Sequence, residues 1–158
     1  MPYFTVSTSL DLNSSQKQEI ISFITKKTNE LLGIFWDKIQ VTIHLKESDC
    51  MGRAGVSLAS PDFSSKSRIM ETESLKSYYS GKVGNEELVI IELDIWENNN
   101  EEGKNTLFKE ITDFFRQKYM IPGDDVLILI REMKPKSWIQ NGIPGDDSLF
   151  LEKSRKNL

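Results

Sequence analysis

In PYFTVSTSL, residues 2–10, apolar and polar side chains alternate, the period of a strand with one covered face. NSSQ then supplies a helix N-cap, and Ile20, Ile21, Ile24, Leu31 and Leu32 recur at helical spacing on one face. Gly33 predicts the helix stop, and KIQVTIHL a second strand. The same order returns further on. ELVIIELDIW predicts a strand and Asn99 or Asn100 a cap; Leu107, Phe108, Ile111, Phe114 and Phe115 form an apolar helical stripe. IPGDD reads as a turn, and DVLILIRE as a strand apolar enough to be central and buried.

Displaced by 87 positions, the sequence partly meets itself without a gap. Asn13 falls on Asn100, Lys17 on Lys104, Ile24 on Ile111, Asp37 on Asp124 and Gly55 on Gly142. Both halves are β-α-β units, with a crossover helix long enough to join parallel strands. Residues 1–58 form the first unit, 59–86 a connector rich in Ser, Gly and charge, 87–145 the second unit and 146–158 a tail. A short helix is expected around METESLKSYY in the connector. The fold class is therefore α+β: two fused units, a four-stranded sheet and two helices on one face. The other face is left bare, which predicts oligomerisation.

Composition narrows the function classes. Hydrophobic content of 38% and charged content of 28% over 158 residues suit one globular domain. A net charge of -4 with no basic run argues against a nucleic-acid footprint. The single cysteine, Cys50, forbids an intrachain disulfide and fits a reducing compartment. No signal-like start and no long apolar run occur, so the expectation is a cytoplasmic protein with no membrane partner. One Cys and one His without matched spacing make no zinc site, and no glycine-rich phosphate loop is present.

Pro2 is the chemical question. A proline opening an edge strand loses no ladder hydrogen bond, which is one reason for it. The other is that proline at a free terminus is a secondary amine whose protonation burial can tune. With Met1 removed, Pro2 acts as a general base if its pKa is pushed down and as a general acid if it stays high.

The Pro2 strand, the doubled β-α-β unit and the E-x-x-P-x-x-W-x-x-x-G close at Glu132–Gly142 resemble the tautomerase superfamily, in its fused two-unit form. The second half looks most like the malonate semialdehyde decarboxylase branch, and REMKP is similar to the cis-3-chloroacrylic acid dehalogenase branch. Val89 stands where the second unit would carry a proline. The resemblance implies a homotrimer, no cofactor, a small-molecule substrate and an isomerase or lyase-like reaction at a carbonyl or unsaturated acid. It implies catalytic roles for Pro2, for Asp37 before the second strand and for Glu132 as a water-activating base, with Trp138 as pocket wall.

The departures from the family are equally specific. Arginines that the family uses to hold a substrate carboxylate are replaced: Glu97 and Asn99 stand at the decarboxylase positions, Trp96 and Asn99 at the dehalogenase positions. Thr28 replaces the dehalogenase histidine, and Asn13 and Gln40 replace the arginines of the single-unit tautomerases. Arg53 in CMGRAG is the first candidate substitute, before Arg68 and Arg131, with Trp96 and Asn99 as further substrate contacts. The lone His44 reads as structural. A fold kept for binding or regulation after loss of chemistry is the alternative.

Overall fold

The computed structural model describes residues 1–67, 73–74 and 86–156. β1 (Pro2–Thr8) leads into α1 (Ser14–Leu32), and β2 (Gln40–Leu45) follows. A hairpin of β3 (Gly52–Arg53) and β4 (Val56–Ser57) and a helical turn at Phe63–Lys66 complete the first half. The second half repeats the order. It has β5 (Val89–Trp96), α2 (Glu101–Tyr119) and β6 (Val126–Met133), then a hairpin of β7 (Ile139–Gln140) and β8 (Ile143–Pro144) and a turn at Phe150–Lys153. The turn at Phe63–Lys66 opens the stretch expected as connector, and Phe150–Lys153 lies in the expected tail; they are repeat mates. The helix expected around METESLKSYY lies largely outside the described residues.

The main sheet has the order β2-β1-β5-β6. β1 and β2 are parallel, as are β5 and β6, and the two pairs meet antiparallel along β1 and β5. The units are thus related by an approximate two-fold axis between β1 and β5. One end of the sheet carries Pro2, Ile95 and Glu132 in a row, and the other carries Thr8, Val89 and Val126.

Alternation decides the faces. Phe4, Val6, Val89, Ile91, Leu93 and Ile95 point to one side and are fully buried beneath α1 and α2. Ile20 and Ile24 of α1 and Leu107, Ile111 and Phe115 of α2 complete this core, and Phe23 stacks on Phe114 at 4.2 Å between ring centroids. Among the described residues, nothing packs over the opposite face. There Arg131 binds Asp94 and Glu92 of β5, beside the exposed Leu127 and Leu129. β6 therefore corrects one sequence expectation: it is an edge strand, not a central one. Its apolar run marks surface that nothing among the described residues covers.

The helix ends differ between the repeats. α1 starts with a capping box, Asn13 accepting from the Gln16 amide while the Gln16 side chain receives the Asn13 N–H, and ends at Gly33 with φ 65°. In α2 the equivalent Asn100 makes no such bond, and the left-handed end residue is Met120, φ 58°. Gly103, which replaces Gln16, is required by packing: a Cβ there would lie 2.6 Å from the Leu31 carbonyl oxygen. Among the described residues no helix is long and apolar enough to cross a membrane.

Candidate active site at the amino-terminal end of the sheet

Register brings most of the expected residues to one end. Pro2 pairs with Ile95, and Ile95 with Glu132, so the proline and the glutamate share a row and a face with one strand between them. At the usual strand spacing that separation is about 10 Å. Trp96 ends β5, and the Asn99 amide of the following loop turns back to donate to the Trp96 carbonyl. Asp37 sits in the turn entering β2 at the same end, and Trp138 closes the hairpin turn after β6, donating its N–H to the Pro135 carbonyl at 3.0 Å.

The terminus itself is desolvated. Pro2 is buried, Met1 is 7% exposed, and burial pushes the terminal amine down from 8.0 to about 5. A cation on the Met1 amine lacks the water that would stabilise it, so burial favours its neutral form.

Glu132 is not a free carboxylate. It pairs with the ammonium of Lys104, which is 4% exposed in the first turn of α2 and also binds Glu101 at 2.6 Å. Glu101 and then Glu132 raise the Lys104 pKa. Asp37 is held bidentately by Arg155, both bonds at 2.8 Å, and that guanidinium keeps its carboxyl below the usual range. The tail is therefore docked on the first unit. Beside it Lys38 is buried, donating to Gln140 at 3.1 Å and Ser154 at 2.8 Å, and desolvation lowers its pKa.

The docked tail shapes a cleft of about 360 Å³ lined by Trp96, Gly145, Asp147, Leu149, Phe150 and Leu151. Trp96 packs against Phe150 at 5.5 Å. Gly145 is obligatory, because a Cβ would stand 2.4 Å from the Trp96 ring and 2.6 Å from the Pro135 carbonyl oxygen.

Arg53 does not join this group. Its hairpin reaches the far end of the sheet, where it binds Asp125 at 2.7 Å and donates to the Ser67 carbonyl at 3.0 Å. β1 alone spans about 20 Å from that end to Pro2 at 3.3 Å per residue. Within the chain Arg53 is thus a structural partner of the Val89 end. Arg116, Arg131 and Arg155 are likewise bound to carboxylates, and Arg68 lies outside the described residues. Lys104 and Lys38 are the residues the sequence did not single out. Their burial is not marked in sequence, since Glu132, Gln140 and Ser154, which close on them, come from distant segments.

Comparison with known proteins bears on the fold. Residues 67–139 match the family described as tautomerase enzyme. No curated protein sequence matches the chain. Among solved structures, N1, a member of the cis-3-chloroacrylic acid dehalogenase family, superposes with a TM-score of 0.69 at 15% identity, covering 96% of this chain and 89% of that one. The FG41 malonate semialdehyde decarboxylase inhibited by 3-bromopropiolate gives 0.61 at 17% identity, with 94% of each chain covered. A wild-type fused 4-OT, described as a symmetric trimer, gives 0.66 at 12% identity over 91% of this chain and 96% of that one. Residues 67–139 thus match the tautomerase family model, and the chain as a whole shares its fold with these solved structures.

Proposed function

We propose that the chain is a proline-dependent acid–base catalyst acting on a small carbonyl compound or unsaturated acid. The observation that carries this reading is the buried end of the sheet at which Pro2 lies, a setting that disfavours a charged amine. With Met1 removed, the amine belongs to Pro2 and acts as a general base. It takes a proton from carbon next to a carbonyl, or from an enol, and returns it at the other end of the conjugated system. Trp96 and the cleft behind it supply apolar cover that excludes water. Glu132, already bound to Lys104, and Asp37, bound to Arg155, shape the charge around the amine. We read the assembly as a homotrimer, in line with the fused 4-OT of the same fold and with the bare face of the sheet.

A second reading is favoured by one observation. Met1 is seated in the end of the sheet, and if it stays there Pro2 is an amide without chemistry. The fold then serves binding. The intact mass of the purified chain, paired with phenylenolpyruvate tautomerisation by wild type and Pro2→Ala, separates the two. A mass short by one methionine, with activity lost in the variant, supports catalysis. A retained methionine, or activity indifferent to Pro2, overturns it.

A further inference from the structure

The repeat supplies an internal control for one unusual residue. Lys17 and Lys104 are equivalent, each in the first turn of its helix. Lys17 is only partly buried, whereas Lys104 is 4% exposed. The repeat does not by itself demand a buried lysine. Burial occurs at the end of the sheet that carries Pro2, not at the end that carries Val89.

The two partners of Lys104 are unequal. Glu132 is fixed by strand β6, in the same row as Pro2. Glu101 approaches from its own helix, three residues back, with a side chain 75% exposed. An ammonium has three donors, and a carboxylate that is mostly in water is the one easily exchanged. Replacing it with another carboxylate leaves the local charge balance unchanged.

From this arrangement, and resting on the reading of Pro2 given above, we propose that Lys104 is the anchor for the carboxylate of a small monocarboxylic substrate, and that Glu101 occupies that seat until substrate displaces it. Lys104 then does what the absent arginines would do, from the helix instead of from the loop after β5. The separation of about 10 Å between Pro2 and Glu132 along their shared row suits an acid of few carbons lying across the end of β5, carboxylate towards α2 and reacting carbon towards Pro2. Glu132, already paired with Lys104, restricts the seat to one further negative group, which selects against dicarboxylates.

The test uses benzoate and its neutral isostere benzamide as probes, titrated by calorimetry into the purified full chain. Wild type is expected to prefer benzoate. Glu101→Gln removes the competing carboxylate and should tighten benzoate about 5-fold while leaving benzamide unchanged. Lys104→Met should weaken benzoate at least about 10-fold and abolish the preference. Because Lys104→Met removes a buried charge, its fold is checked by circular dichroism, and Glu101→Gln, at an exposed side chain, decides the matter if it fails to fold. Equal binding of the two probes, no measurable binding, or benzoate affinity unmoved by Glu101→Gln overturns the assignment. The titration does not involve the amine: Pro2→Ala that keeps turnover sinks the proline reading while the benzoate result still stands.

Discussion

Lys38 and Asp125 occupy the same place in the two β-α-β units, both buried, at 2% and 3% exposure, and they carry opposite charge. Each receives the hairpin of the other unit. Gln140 and Ser154 of the second half close on Lys38, and Arg53 of the first half closes on Asp125. The aromatic floors correspond too: Lys38 lies 5.5 Å from the Phe150 ring centroid and Arg53 lies 5.9 Å from that of Phe63.

This crossed arrangement makes the two clasps unequal in strength. Arg53→Met leaves a buried carboxylate without its guanidinium and should lower stability by about 3 kcal/mol. Gln140→Ala removes one neutral acceptor from Lys38 and should lower it by about 1 kcal/mol. Urea denaturation of both variants checks the order, and equal effects would mean that the ion pair is compensated elsewhere.

The terminal amine predicts a pH dependence with a definite sign. Its pKa is lowered from 8.0 to about 5 by burial. Above pH 8 it is neutral folded and unfolded and contributes nothing. As pH falls from 8 towards 5 the unfolded chain takes up the proton first, so stability declines across that window. Below 5 the full penalty of the buried cation is present. Urea midpoints measured from pH 8 to pH 5 should fall, and acetylating the terminus should remove that part of the slope.

Met120 is the equivalent of Gly33, in the same left-handed conformation at φ 58°, yet it carries a side chain that is 69% exposed. A non-glycine residue there is strained by about 1–2 kcal/mol, partly offset by the greater freedom of glycine in the unfolded chain. Met120→Gly should therefore stabilise the protein by about 0.5–1 kcal/mol. The check is a higher urea midpoint with an unchanged slope; a lower midpoint would show that the exposed Met120 side chain has a contact role outside the chain.

The architecture was legible because it is local. Alternation along PYFTVSTSL, the Asn13 cap, the Gly33 stop and the displacement by 87 positions each depend on neighbouring residues and name their element directly. The position of β6 was not, since an apolar strand reads alike whether its cover comes from the same chain or from outside. The candidate site divided along the same line. Pro2, Trp96 and Glu132 end their strands, so topology gathers them. Arg53 follows the first unit in sequence but docks on the second, and only tertiary structure reveals that exchange. Lys104 meets Glu132 across 28 positions, a pairing no spacing rule anticipates.

The exchanged hairpins also settle how the halves depend on each other. A single unit on its own would present a closing arm with nothing to close on and an edge with nothing to close it. The covalent link therefore acts as a concentration term: it holds each half at an effective concentration that two separate chains would reach only at high abundance. Cut between residues 67 and 86, the protein should behave as two complementary fragments whose folding is one bimolecular event.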